Sequence, residues 1–109
     1  MLMPENKALD RLVLILAATD PEYVNDPDAV LEDRFDEFES MSNLVWAAGF
    51  RETSKGASHT VGDRDLLSDT VCSIDPDFVD YPPYVQDGDR AEKAHLVQAI
   101  FDGDWGILR

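Results

Sequence analysis

Three aspartate–proline pairs divide this chain of 109 residues into segments that can begin helices. The pairs start at Asp20, Asp26 and Asp75, and an acidic residue follows each proline. Aspartate accepts hydrogen bonds from the free amides at a helix start, and proline is tolerated at the first helical position. An acid in the first turn also suits the positive end of the helix dipole. The pattern therefore predicts three helix starts, and the alternative interpretation is a repeated binding motif.

Apolar spacing predicts the helix that precedes the first pair. Residues 4–18 contain a stripe at i, i+3, i+4 and i+7, formed by Leu9, Leu12, Val13 and Leu16. Such a stripe is typical of a helix, and a helix this apolar must be largely buried. The run from Val13 to Leu16 would also suit a buried strand.

The segment after the second pair carries the longest predicted helix. One apolar stripe runs along it, formed by Leu31, Phe35 and Phe38. We expect one long kinked helix or two abutting helices over residues 27–48, the second capped by Ser42. Gly49 is the expected stop, because glycine is common directly after a helix.

The middle of the chain has the weakest helical pattern. Residues 50–62 place turn-forming residues between short apolar runs, so we expect a short hairpin or an ordered loop. Asp63 is the predicted cap of a further helix. The apolar face of that helix carries Leu67, Val71 and Ile74.

The C-terminal third is predicted to contain a loop followed by one helix. The loop is indicated by Pro76, Pro82, Pro83 and Gly88, and a single helical turn near Phe78 is expected to interrupt it. The last helix covers about residues 90–101, with Asp89 as its cap and Gly103 as its stop. Residues 105–108 are too apolar for a solvated end, so we expect them to dock on the core.

These elements predict a mainly α fold, a compact bundle of four to five helices with an irregular or short β-hairpin middle segment. One acidic globular domain over residues 1–109 suits this length. The helices at 27–48 and 90–101 are expected to pack on the N-terminal helix. The predicted core is Leu12, Val13, Leu16, Leu31, Phe35, Phe38, Val45, Trp46, Leu67, Val71, Val97 and Phe101.

Negative charge limits the partners that such a domain can bind. The chain has 9 basic and 23 acidic residues, a formal net charge of −14. Phosphate and anionic lipid surfaces are bound through clustered lysine and arginine, so direct nucleic-acid and membrane binding are both disfavoured. A basic protein is the favoured partner, because opposite charges steer the two molecules together. The protein itself is expected to be a monomer or a homodimer.

The compartment follows from cysteine usage and from the N-terminal segment. Cys72 is the single cysteine, and a small secreted domain usually carries an even number. The N-terminus lacks the basic start and long apolar run of a signal peptide, and no apolar stretch approaches the ~20 residues of a membrane span. We therefore expect a cytoplasmic protein, in the host cytoplasm if it is phage-encoded.

No pattern of catalytic, metal-binding or cofactor-binding residues rises above chance. His59, His95 and Cys72 lack zinc-ligand spacing, and the paired aspartates lack the full set of an EF-hand loop. Ser58 and His59 are adjacent without a nucleophile elbow, and no phosphate-binding glycine motif occurs. A thiol on a half-buried helix, away from cations, predicts a raised pKa for Cys72. We therefore expect no enzyme, no catalytic residue, no cofactor and no metal ion.

The acidic residues are concentrated in two base-poor segments. Residues 20–39 hold nine acids and one base, Arg34, and no base lies between Arg64 and Arg90. Carboxylates four residues apart on a helix are separated by ~6 Å along its axis, which resembles the spacing of phosphates along a strand. The predicted partner-binding residues are Asp28, Glu32, Asp33, Asp36, Glu37, Glu39, Asp77 and Asp80.

These features predict an acidic inhibitor that occupies a basic nucleic-acid-binding surface of a partner. Phage-encoded anti-CRISPR and anti-restriction proteins are of this general type, an analogy that rests on size, charge and missing catalytic motifs. One alternative is an immunity or antitoxin protein that neutralises a basic nuclease toxin. Another is a small enzyme or ligand-binding domain that uses loop 50–62 and His59. The acids would also suit a solvated surface, or a compositional bias of a high-salt cytoplasm or high-GC genome.

Overall fold

A computed structural model describes residues 4–53 and 59–107, the first three of them by backbone alone. Five α-helices lie in these ranges: α1 (Pro4–Ala17), α2 (Pro27–Ala47), α3 (Val61–Cys72), α4 (Pro83–Glu92) and α5 (Ala94–Asp102). Two short 3₁₀ helices cover Pro21–Val24 and Phe78–Asp80. Strands β1 (Phe50–Glu52) and β2 (Trp105–Ile107) form one antiparallel pair. The predicted fold class, a mainly α bundle with a small hairpin-like sheet, is confirmed.

The aspartates of the three aspartate–proline pairs all accept backbone hydrogen bonds. The donors are the amides of Glu22 to Asp20 at 2.9 Å, of Ala29 to Asp26 at 3.2 Å, and of Asp77 to Asp75 at 3.0 Å. The second pair starts α2, and the first starts only a four-residue 3₁₀ helix. The third pair forms a turn and does not itself start a helix. The single helical turn predicted near Phe78 is present as the 3₁₀ helix Phe78–Asp80.

Helix α2 is one uninterrupted helix, so the alternative of two abutting helices is wrong. Ser42 does not cap a second helix, because α2 continues through it. Its side chain is fully buried. Gly49 follows the helix with a φ of +100°, a backbone conformation that L side chains rarely adopt. Its predicted role as the stop is confirmed.

The core forms where α2 and α5 pack on α1, as predicted, and α3 closes it against both of them. Nine of the predicted core residues are buried there: Leu12, Val13, Leu16, Phe38, Val45, Leu67, Val71, Val97 and Phe101. Leu31 and Trp46 are only partly buried. Phe35 was placed wrongly, since it is 41% exposed at the margin of the buried face. The prediction missed Met41, Phe50, Ile100 and Trp105.

The small sheet joins the middle of the chain to its C-terminal segment. Phe50 lies opposite Ile107 and Glu52 opposite Trp105, so a hairpin within residues 50–62 is not the pairing observed. The docking of the C-terminal segment is confirmed for residues 105–107, because Trp105 is buried and its ring meets that of Trp46 edge to face at 6.4 Å.

Helix α3 begins earlier than predicted. Thr60 is its cap, and the hydroxyl accepts a hydrogen bond from the Asp63 amide at 3.0 Å. The Asp63 carboxylate accepts one from the Thr60 amide in return, which makes a capping box. Asp63 therefore lies inside the first turn and is not the cap. Residues 54–58, the central part of the predicted loop, lie outside the described residues.

Helix α4 replaces the predicted loop. Pro83 occupies the first helical turn, where its fixed φ and missing amide cost nothing. Gly88 in the helix interior costs about 1 kcal/mol relative to alanine, which contacts with α3 and α5 can offset. Asp89 is consequently an interior residue of α4, and the last helix begins at Ala94 after a break at Lys93. No helix within residues 4–53 or 59–107 is long and apolar enough to cross a bilayer.

Two glycine substitutions should have opposite effects on stability. A Cβ at Gly88 would meet no atom within 4 Å, so Gly88→Ala should raise the free energy of unfolding by about 0.5–1 kcal/mol. At Gly49 the positive φ strains any L residue, so Gly49→Ala should lower it by about 1–2 kcal/mol. Urea unfolding followed by circular dichroism measures both. A stabilised Gly49→Ala variant would contradict the backbone conformation described for that position.

Candidate functional site

The outer face of α2 carries a continuous set of exposed carboxylates, which we call the α2 acidic surface. Its members are Asp28, Glu32, Asp33, Asp36, Glu37 and Glu39, all of them exposed. The opposite face of the helix is apolar and buried, formed by Val30, Phe38, Met41 and Val45. Because that face is fixed against α1 and α3, the carboxylates have to face solvent.

The α2 acidic surface has regular spacing. Asp28, Glu32 and Asp36 follow one another at four-residue intervals, which places them ~6 Å apart along the axis. Glu39 continues this row three residues later, so the row is ~16 Å long. Asp33 and Glu37 form a second four-residue step beside it. The helix thus presents charge in rows, as the sequence predicted for these six residues.

Arg34 neutralises one edge of the α2 acidic surface. Its Nε lies 3.2 Å from Glu37 Oε2, and its Nη1 lies 3.5 Å from Asp20 Oδ2. Its guanidinium also lies 4.6 Å from the ring centre of Phe38. The hydrogen bond to Glu37 raises the pKa of Arg34, so this cation stays charged. No ion pair from within residues 7–53 or 59–107 reaches the other five carboxylates of the surface.

The remaining two predicted site residues lie on a separate part of the molecule. Asp77 and Asp80 are exposed. Asp77 precedes the second 3₁₀ helix and Asp80 is its last residue, and the buried Phe78 anchors that helix. Gln86 of α4 donates a hydrogen bond to the Phe78 carbonyl at 2.9 Å. We call residues 77–84 the Tyr84 corner, since Tyr84 at its end is 77% exposed. Within the described residues, no hydrogen bond or ion pair joins this corner to α2.

Tyr81 and Asp75 brace the Tyr84 corner. The Tyr81 hydroxyl donates a hydrogen bond to Asp75 Oδ2 at 2.7 Å, and the Asp77 amide donates to the other oxygen. The bond to the carboxylate raises the pKa of Tyr81 to about 12. The same bond, followed by that of the Asp77 amide, lowers the pKa of Asp75. The corner is therefore held in shape by its own side chains and does not depend on a ligand for it.

Arginine is used throughout the described residues to cover aromatic rings. Four guanidinium carbons lie over ring centres: Arg34 over Phe38 at 4.6 Å, Arg51 over Trp46 at 3.5 Å, Arg64 over Phe101 at 5.3 Å and Arg90 over Phe78 at 5.4 Å. Each of these arginines also donates to an oxygen atom nearby. This pairing was not predicted from the sequence. Two of the rings, Phe101 and Phe78, are far from their arginines in sequence, so no local pattern joins them.

An open cleft between α3 and α4 was also not predicted. Its volume is about 360 Å³, and it is lined by Asp65, Asp69, Asp87 and Arg90. Arg90 lies 2.8 Å from both Asp69 Oδ1 and Asp87 Oδ1, so the cleft contains an internal ion network. Among the described residues, no group of three histidine, cysteine or acidic side chains is arranged to hold a metal ion.

The residues of the alternative enzyme hypothesis occupy another position. His59 stacks on Phe101 with ring centres 3.9 Å apart, and its Nε2 lies 3.3 Å from Arg64 Nη2. Within the described residues, the contacts of the imidazole are with Phe101 and Arg64, and no hydrogen bond joins it to a serine or cysteine. Cys72 is buried, and that burial raises the pKa of its thiol, in the predicted direction. The expectation of no nearby cation is wrong, because Lys93 and Arg90 oppose the rise.

Comparison with known proteins identifies no relative: no family model, no curated protein and no solved structure matches this chain. The structure gathers six of the eight predicted binding residues on the α2 acidic surface and leaves Asp77 and Asp80 on the Tyr84 corner. Tyr84, the exposed aromatic residue at that corner, is in neither the predicted core nor the predicted set of binding residues.

Removal of the Tyr81 hydroxyl should make stability less dependent on pH. The pKa of Asp75 is lower in the folded protein than in the unfolded chain. Its ionised carboxylate therefore stabilises the fold above the ordinary pKa of ~3.9, and this stabilisation is lost as pH falls through the folded-state pKa. The pKa of Tyr81 is higher in the folded protein. Its protonated hydroxyl therefore stabilises the fold below the ordinary pKa of ~10, and this stabilisation is lost as pH rises through about 12.

The destabilisation caused by Tyr81→Phe should therefore be largest between about pH 4 and pH 10 and shrink on either side. Urea unfolding at a series of pH values measures it. An effect of the same size at every pH would show that the phenol–carboxylate bond does not contribute, and Tyr23→Phe serves as the control.

Proposed function

We propose that this protein is an acidic inhibitor that binds a basic, nucleic-acid-binding surface of a partner protein through the α2 acidic surface. The observation that supports it most directly is the set of six exposed carboxylates on one continuous helix. Of these, only Glu37 has a cationic partner within the described residues. A surface of this kind attracts clustered lysine and arginine side chains and repels nucleic acid.

The spacing of the carboxylates favours a groove that ordinarily holds nucleic acid. Steps of ~6 Å along the axis of α2 resemble the spacing of backbone phosphates, and the row is ~16 Å long. A groove with arginine and lysine placed for phosphates would meet carboxylates at similar intervals. The backbone that carries these carboxylates is fixed before binding, because the opposite face of α2 is buried in the core, so little backbone entropy would be lost.

The proposal is tested by neutralising the carboxylate row. The triple variant Glu32→Gln, Asp36→Asn, Glu39→Gln removes three charges and keeps the side-chain shapes. Its matched control is Asp10→Asn, Asp65→Asn, Glu92→Gln, which removes three charges from exposed positions on α1, α3 and α4. Both variants should remain folded by circular dichroism, because all six side chains are exposed.

Immobilised wild-type protein and both variants are compared in capture from lysates at low and high salt, with quantitative mass spectrometry. A genuine partner should bind the wild type and the control, lose at least about tenfold in affinity for the triple variant, and be displaced by added duplex DNA or RNA. Equal loss with both variants, or captured proteins that nucleic acid does not displace, would sink the proposal.

A further inference from the structure

We infer that the Tyr84 corner is an arginine-binding site, in which a guanidinium of the basic partner stacks on the Tyr84 ring and pairs with nearby carboxylates. The inference rests on the proposed function for the identity of the partner as a basic protein. It adds a second contact point, away from α2, and a preference for one kind of basic side chain. The inference is based on how arginines cover aromatic rings elsewhere in the fold.

The fold already contains the arrangement that this site would complete. Arg90 covers the ring of Phe78 while its nitrogen atoms bind Asp69 and Asp87. Arg34 likewise covers Phe38 while it binds Glu37 and Asp20. In both places one guanidinium stacks on a ring and pairs with two carboxylates, so such sets of groups are suited to arginine.

Tyr84 is an aromatic residue with exposed carboxylates on neighbouring turns of the chain. It is 77% exposed, and no arginine in the described residues lies over its ring. Asp87 lies one turn further along α4, which places it beside Tyr84, and its side chain is 75% exposed. Arg90 pairs with Asp87 Oδ1, so the incoming guanidinium would pair with Oδ2. Asp80 and Asp77 add exposed negative charge on the preceding 3₁₀ helix.

The described arginines are all engaged elsewhere. Four cover the rings named above, and Arg11 donates from its Nε to Glu52 at 2.8 Å. A guanidinium for Tyr84 would therefore come most readily from another molecule. Gly88, four residues further along α4, adds no side chain beside Tyr84, and the space around it is open.

The corner is held in place before anything binds. Phe78 is buried beneath it, Gln86 donates to the Phe78 carbonyl, and Tyr81 donates to Asp75. An aromatic side chain on such a support loses little freedom on binding, which is typical of the residues that dominate interfaces. Arginine is favoured over lysine because a planar guanidinium stacks on a ring and donates sideways at the same time.

The test uses two defined probes, a short blocked peptide of alternating arginine and glycine and the same peptide with lysine at every arginine position. Binding to the full chain is followed by NMR chemical-shift titration at low salt. The arginine peptide should bind about threefold more tightly than the lysine peptide, with the largest shifts at residues 77–88. Tyr84→Ser should abolish this preference, and Tyr84→Phe should keep it.

Two control variants separate this site from the α2 acidic surface. Val79→Ser removes an apolar side chain that is 70% exposed in the same corner and should leave the preference unchanged. The α2 triple variant should weaken both peptides equally and also leave the preference intact.

Equal binding of the two peptides to the wild type, or a preference that survives Tyr84→Ser, would overturn the arginine site. Failure of the α2 triple variant to lose its cellular partner would instead overturn the proposed function, and the peptide result would stand by itself.

Discussion

Positive charge is scarce in this chain, and each arginine that the structure describes joins two parts of the fold. Arg11 links α1 to β1, Arg34 links α2 to Asp20, and Arg51 of β1 donates to the last turn of α2. Arg64 links α3 to α5, and Arg90 links α4 to α3. A guanidinium can do this because it stacks through its faces and donates through its edges. These five arginines thus lie at junctions between elements.

The arginines are too few to neutralise the acidic residues, and this limits where the acidic residues can lie. Exposed ion pairs contribute only about 0–1 kcal/mol each, so the five arginines do not offset the mutual repulsion of a net charge of −14. The apolar core supplies the stability instead, and the carboxylates are tolerated where water and salt screen them, on the outer face of α2. The repulsion among these carboxylates would also decrease when a basic surface binds to them.

The features that were predictable from sequence depend on signals within a few residues. Helix α2 and its acidic surface were predicted because the cap at Asp26, the stripe through Phe38 and the acids between them all lie on one helix. The α4 helix was missed because two prolines and Gly88 indicate a loop locally, whereas contacts with α3 and α5 favour a helix. The exposure of Tyr84 had no sequence signal, since it depends on how Phe78 is anchored.

The pairing of the two strands was also not predictable from local sequence. Pairing of Glu52 with Trp105 joins residues about fifty positions apart, and no local pattern in residues 50–62 names a partner so distant. A loop of that length costs about 3–4 kcal/mol of entropy to close, which the burial of Trp105 and Phe50 offsets. On the ribosome, β1 leaves the exit tunnel well before β2 is made. Strand β1 therefore stays unpaired, and the core next to Phe50 stays exposed, until the C-terminal strand has been made. A nascent chain of this protein would be most prone to incorrect strand pairing or aggregation at this edge.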